Sequence, residues 1–306
     1  MSEFYFVSLG LFILDDIYWS GQLRDTNIIG GGGTFALIGS KYVLSKFNAD
    51  SLSDYIAKCS MIIDIGPDCP QDVIDTMVKY KTDAVFRRSE RLTIRGGNYY
   101  GDNDFRDFKY LTPKKSITWD DIKANGLDRS KSYHIISSGE NLLQFIQDKG
   151  ESSKGSIITW EPTPTYCTPE NLSFTLEVIK RIDLFSPNAA EAASYFGLPE
   201  PKSKQECLEI AKRFASYIKE DAAVVIRCGA LGSCAVVKDD LENVPWCDPP
   251  AGPNVDPTGC GNTYLGALTT AYVITKNLNI SMNWASKAAS LCLAVKGLPK
   301  LEEANL

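Results

Sequence analysis

Residues 4–9 and 12–19 alternate apolar and polar side chains with the period of two that a half-buried strand requires. The run Ile28-Ile29-Gly30-Gly31-Gly32-Gly33 follows and leads into a helical pattern over 34–44. From there strands and helices take turns. A strand at 61–65 precedes a helix at 71–80, opened after Pro70, and 84–87 reads as a strand. Strand 134–137 precedes helix 140–148, and strand 156–160 precedes a helix opened by Thr168-Pro169-Glu170. A proline at the first helical position behind a threonine cap is a start signal. Strand 183–185 leads to helix 189–196, closed by Gly197. Helix 206–218 precedes an apolar strand at 222–227 with a hairpin-like successor at 234–237, and helices at 262–276 and 282–296 complete the pattern.

Repeated strand–helix alternation with short connections predicts an α/β fold, a parallel sheet with helices on both faces. The polar and aromatic stretch 88–110 breaks the rhythm and would pack poorly in a core. Together with 16–19 it can form a small side sheet over the mouth of a site. The expectation is one domain over residues 1–306 with a β lid from about 16–29 and 84–100. A chain of 306 residues, 44% hydrophobic, can bury a core of that size.

Charge narrows the function. Against 38 acidic residues stand 32 basic ones, a net charge of −6, which gives no general attraction for nucleic acid or anionic membrane. Lys114-Lys115 and Arg87-Arg88 read as solvated faces. The N-terminal residues lack the basic flank of a signal peptide, and no run approaches the length of a membrane span. Nine cysteines, an odd number without a Cys-x-x-Cys pair, point to reduced thiols in the cytoplasm or nucleus, and a cytoplasmic protein is the expectation. The single histidine, His134, lies in an apolar run and reads as a strand residue, which argues against zinc and against Ser-His-Asp chemistry.

Four segments can carry chemistry. Asp256-Pro-Thr-Gly259-Cys260-Gly261-Asn262 is a glycine turn into a helix, where the N–H groups of Gly259, Cys260 and Gly261 would converge on an anion at the positive end of the helix dipole. A tight turn at an ordinary helix start is the plainer reading. Ser186-Pro-Asn188-Ala-Ala-Glu191 has the spacing of a capping box. Arg227-Cys-Gly229-Ala-Leu-Gly232 follows a buried strand and lets backbone approach a ligand, with Arg227 in reach of a phosphate. Near the N-terminus, the carboxylates of Asp15 and Asp16 are strong acceptors for a vicinal diol, while the four glycines can seat a small polyol or form a flexible loop.

Taken in order, these segments resemble the pfkB (ribokinase-like) carbohydrate kinases, whose signature usually reads Asp-Thr-x-Gly-Ala-Gly-Asp. The stretch 91–113, with Asn98, Tyr100-Gly-Asp-Asn-Asp104 and Phe108-Lys-Tyr-Leu-Thr-Pro113, resembles a fungal branch of that family. The resemblance implies a ribokinase-like three-layer α/β/α sandwich with a small β lid. It implies ATP held at Asn188, Glu191, Arg227, Gly229 and Gly232, with Asn188 and Glu191 organising magnesium (Mg2+) and its waters. An alcohol of a sugar or nucleoside would sit against Asp15, Gly31 and Gly32, with Asp16 able to exchange roles with Asp15. Phe35 stands where the family has an asparagine for substrate hydroxyls, which puts an ordinary sugar in doubt. The transferring phosphoryl would lie in the cup of Gly259, Cys260 and Gly261. Asn262 replaces the aspartate that takes the proton, and an amide has no basic site at neutral pH. Two functions follow: an unusual, slow kinase in which another carboxylate or the substrate takes the proton, or a kinase-fold protein that binds a nucleotide or scaffolds a partner. Neither calls for nucleic acid or membrane, and a homodimer would form through the lid.

Overall fold

The strand segments pair into two separate sheets in a computed structural model that describes residues 3–50, 57–101, 106–238, 240–242, 244–250 and 252–301. Positions 102–104 of the Tyr100-to-Asp104 run lie outside the described residues. In chain order the elements are β1 (Glu3–Ser8), β2 (Ile13–Trp19), β3 (Gln22–Gly30), α1 (Gly32–Asp50), β4 (Ala57–Ile65), α2 (Gln71–Lys79), β5 (Val85–Arg88), β6 (Arg95–Tyr100), β7 (Arg106–Tyr110), α3 (Trp119–Ala124), β8 (Ser132–Ser137), α4 (Gly139–Lys149), β9 (Ile157–Pro162), α5 (Pro169–Val178), β10 (Leu184–Phe185), α6 (Ala189–Ser194), α7 (Lys204–Ala215), β11 (Ala223–Arg227), β12 (Ser233–Val237), β13 (Trp246–Cys247), α8 (Cys260–Thr275) and α9 (Leu278–Leu293).

The central sheet has nine strands in the order β13-β12-β11-β10-β9-β8-β1-β4-β5. It is parallel from β11 to β5, and β12 and β13 add antiparallel to its edge. Because successive side chains point to opposite faces, one strand feeds two cores. Val224 and Ile226 of β11 belong to the core cluster that holds Ile210 and Phe214 of α7 on one face. Ala223 and Val225 pack on the other face with Leu265 and Leu268 of α8 and Met282 of α9. The result is a three-layer α/β/α sandwich. Each fully buried Val, Leu or Phe contributes about 1.5–3 kcal/mol, so the sheet is held from both sides.

Helix starts follow local chemistry. Ser203 and Glu206 form a capping box at α7, after which Cys207, Ile210, Ala211 and Phe214 bury one face. α9 begins at Leu278, ahead of the apolar run that suggested 282, because the Asn277 side chain accepts from the Ile280 amide. Thr168 makes no side-chain cap bond, so Pro169 alone marks the start of α5. α3, unforeseen in the sequence pattern, is opened by a capping box of Thr118 and Asp121.

The second sheet runs β3-β2-β6-β7, with Asp15 opposite Gly96. The stretch 84–100 divides between the sheets. β5 pairs in parallel with β4 at the edge of the central sheet, where Arg87 binds Asp64 of β4 and Asp121 of α3. Only the part from Arg95 onward enters the small sheet, which continues into β7.

Candidate functional site

Strands β1, β8, β9, β10 and β11 point their C-terminal ends the same way, the edge at which open α/β sheets bind ligands. A cavity of about 900 Å³ opens there, under Tyr110 of the small sheet. Gly32, Glu161, Asn188, Glu191, Arg227 and Asn262 line it, and Ser116, Ser137, Ser138 and Thr163 add hydroxyls and Asn141 an amide to the lining.

Other residues singled out from the sequence lie in two neighbouring spaces. Asp15 and Phe35 border a cavity of about 360 Å³ with Asn98, Asp256 and Lys296. Gly229, Gly232, Cys260 and Gly261 border a pocket of about 80 Å³, and Arg227 lines this one as well as the large cavity. The carbonyl of Gly31 accepts from the amides of Thr34 and Phe35 and so sets the first turn of α1. Phe35 is 3% exposed. It packs on Gly259, where a Cβ would meet its ring at 2.3 Å and where φ is +77°, so only glycine fits.

At the floor of the large cavity Glu161 gathers the charges. Its carboxylate accepts from Arg227 Nη1 at 2.8 Å and from Asn262 Nδ2 at 2.9 and 3.1 Å. His134 Nε2 lies 3.3 Å from Oε2. A carboxylate only accepts, so a hydrogen bond here needs a proton on Nε2, and Ser8 Oγ, which accepts from the Gly10 amide, lies 3.1 Å from Nδ1. Burial would raise the Glu161 carboxyl, but Arg227, His134 and Asn262 outweigh it and hold it at about 2. Glu161 and His134 carry this centre, and sequence reasoning missed the first and set aside the second. The available signal was an acid at the end of an apolar strand, Ile157 to Trp160, with no nearby base in sequence.

Asn188 and Glu191 form a reciprocal capping box at α6, each backbone N–H meeting the other's side chain at 2.8 Å. Burial raises the Glu191 carboxyl, Arg227 lowers it, and Glu161 raises it again; the outcome is upward. Arg227 Nη2 donates to the Ser186 carbonyl at 3.0 Å and lies 3.6 Å from Glu191 Oε2. Asp15 is raised as well. Burial, opposed by Asn98 and reinforced by Asp16, lifts its carboxyl to about 7.

The residues present do not fit magnesium well. The ion prefers oxygen ligands at about 2.1 Å, so one bound by Glu191 Oε2 would stand within about 6 Å of the Arg227 guanidinium. At an effective dielectric of about 20 the repulsion from this one cation is on the order of 5 kcal/mol, set against the attraction of the Glu191 and Glu161 carboxylates that pair with it. Among the described residues no cluster of His, Cys, Asp and Glu forms a metal site. The arrangement can instead receive an anion at the start of α8, where the amides of Gly261 and Asn262 have no backbone acceptor among the described residues.

The family described as pfkB family carbohydrate kinase matches residues 161–304. The protein MAK32 of Saccharomyces cerevisiae is 37% identical over 97% of this chain and 86% of its own length. An uncharacterized protein of Schizosaccharomyces pombe is 34% identical over 96% of this chain and 85% of its own. Among solved structures, that of the Arabidopsis thaliana ribokinase complexed with ribose and ATP has a TM-score of 0.70 at 16% identity, covering 97% of this chain and 94% of that one. That likeness shows a shared ribokinase fold.

Proposed function

Because the chain belongs to the pfkB carbohydrate kinase family, in the branch of its Saccharomyces and Schizosaccharomyces relatives, we propose that it is a nucleotide-binding protein of kinase fold whose phosphoryl transfer to an alcohol is impaired. One observation carries this reading. At the family's base position stands Asn262, and its Nδ2 donates to both oxygens of Glu161. The reacting position therefore presents an amide that is already engaged. Glu161 is a poor substitute base, since its carboxylate is saturated with donors and held at about 2.

ATP is the proposed nucleotide, by analogy with the Arabidopsis thaliana ribokinase complexed with ribose and ATP. The cleft would place its phosphates between Asn188, Arg227 and the amides of Gly261 and Asn262, because the Cys260 amide expected in the cup already donates to the Pro257 carbonyl at 3.2 Å. In this reading the chain is a single domain, and the small sheet is its lid. The lid exposes Trp19, Leu23, Phe108 and Tyr110, which supports a homodimer formed through it. The cysteines are free thiols, which supports a reducing compartment such as the cytoplasm. Among the described residues, no helix is long and apolar enough to cross a membrane.

A second reading, a slow phosphotransferase acting on a sugar or nucleoside alcohol, is favoured by the hydroxyls that line the large cavity. Loss of a general base typically costs ~10²–10⁴-fold in rate and leaves binding intact. The test is calorimetric titration with ATP, paired with ADP release over a panel of sugars, nucleosides and polyols. Binding without ADP release above background supports the impaired protein. Turnover in the ordinary kinase range of roughly 1–100 s⁻¹ overturns it.

A further inference from the structure

The Nε–H of Arg227 is buried and meets no acceptor among the described residues. The residue is only 9% exposed, and a buried donor without a partner is costly. Its two other nitrogens are engaged by Glu161 and by the Ser186 carbonyl. Its guanidinium also abuts the start of α8, since a Cβ at Gly261 would stand 2.7 Å from Nη1. The unpaired amides of Gly261 and Asn262 lie at that same helix start. Arg227 lines both the large cavity and the pocket bordered by Gly229, Gly232 and Cys260. A phosphorylated ligand lying across both spaces would pass its phosphate beside this residue.

We propose that Arg227 is the cation of a phosphate site at the start of α8, standing where a divalent metal would be needed, so that a phosphate ester binds here without magnesium. A phosphate oxygen accepts from Nε–H of Arg227, and others accept from the amides of Gly261 and Asn262. Arg227 keeps its bond to Glu161, which is itself tied to Asn262 and His134. A guanidinium is always charged and offers several donors in a fixed fork, so it can neutralise a phosphate oxygen and orient it together. The close approach of Arg227 to Glu191 also explains why the capping pair Asn188 and Glu191 is not available to a metal. The inference rests on the reading that this cleft takes a nucleotide, but the anion chemistry is separable from the nucleoside.

The test titrates the full chain with ATP, once with magnesium and once with EDTA, and repeats both with pyrophosphate. The expected result is an ATP affinity that differs by less than about threefold between the two conditions. Arg227→Lys keeps a cation beside Glu161 but loses Nε–H and the fork. It should bind at least about tenfold more weakly in both conditions, the loss expected for one charge-assisted hydrogen bond. A wild-type affinity that depends on magnesium by more than about tenfold, or an Arg227→Lys variant that binds as well as wild type, overturns the proposal. If ATP does not bind but pyrophosphate does, and Arg227→Lys weakens it, the phosphate site stands and the nucleotide reading fails. If neither binds, the site itself is wrong. Thermal melting checks that the variant is folded. Should it not fold, Glu191→Gln decides: a metal on Glu191 would make that variant lose its magnesium-dependent affinity, whereas the arginine site predicts binding no weaker than wild type.

Discussion

The side-chain amide of Asn262 lies with Nδ2 2.9 Å from one carboxylate oxygen of Glu161 and 3.1 Å from the other. The residues are 101 positions apart, and they meet because the first turn of α8 abuts the C-terminal end of β9. An aspartate at 262 would confront Glu161 with a second carboxylate at hydrogen-bond distance. An asparagine turns that repulsion into a bond. The amide at the base position and the acid on β9 are therefore one feature, and each is comprehensible only beside the other.

Glu161→Gln should be strongly destabilising at neutral pH. It leaves the guanidinium of Arg227 buried without its main counter-charge, a change that costs about 3–5 kcal/mol. The pH dependence has a definite sign. The carboxyl is depressed to about 2 in the fold from an ordinary 4.5. Its stabilisation is present above the unfolded value and is lost as pH falls from there toward 2. Urea unfolding at pH 7 and pH 3 should show wild type losing stability between them and the variant losing less. Equal losses would show that Glu161 does not carry the acid sensitivity.

Much of the fold was legible because it rests on periodicity. The strand–helix alternation from 61 onward survives in β4 through α9, and Gly259 marks the start of α8 as the glycine turn suggested. The division of 84–100 was not legible, because whether Val85 to Arg88 joins the sheet or the lid depends on Asp64 and Asp121, residues distant in sequence. The centre of the site was hidden for the same reason. Nothing near Glu161, His134 or Arg227 in the chain announces that strands β8, β9 and β11 bring them to one floor. The substitution at 262 was readable, whereas the partner that gives it meaning was not.

Asp15 gives a second pH signature of opposite sign. Burial is the main cause that lifts its carboxyl to about 7, well above its ordinary value of 3.8. Its penalty is absent below the unfolded value, grows as pH rises, and is complete above about 7. Asp15→Asn should therefore stabilise the protein by about 1–3 kcal/mol at pH 8, with a much smaller gain at pH 4. Thermal melts at the two pH values check this, and a pH-independent effect would contradict it. If Asp15 also grips a diol, the variant should lose any thermal protection by polyols.

Phe35→Asn restores the family's polar residue in name only. The ring is buried against Gly259, and its removal should cost about 3–5 kcal/mol through the cavity left behind. The variant should unfold at lower urea and acquire no new affinity for ribose or glycerol by calorimetry. Sugar binding that appears with stability unchanged would mean that the slot at 35 is open to substrate.

Asn262→Asp looks like the direct way to restore a kinase, and the neighbourhood of Glu161 argues that alone it fails. A buried and a half-buried carboxylate would share one space, and one of them would take up a proton at neutral pH rather than stay ionised. The single variant should therefore be less stable than wild type at pH 7, recover toward pH 4, and release ADP no faster. Exchanging the pair, Asn262→Asp with Glu161→Gln, keeps one acid and one amide at the same spacing and moves the charge to the position that faces the cup. The amide introduced at 161 can donate to the carboxylate introduced at 262, and that carboxylate can take over part of the pairing with Arg227. A positioned base is worth at least about tenfold, so the double variant should exceed wild type in ADP release by that factor on at least one alcohol of a sugar, nucleoside and polyol panel. The measurement compares wild type, both singles and the double at matched ATP saturation. A single Asn262→Asp variant as active as the double would show that Glu161 does not govern the base position. A double variant that folds, binds ATP and still turns over nothing would show that the protein has lost its acceptor site as well as its base.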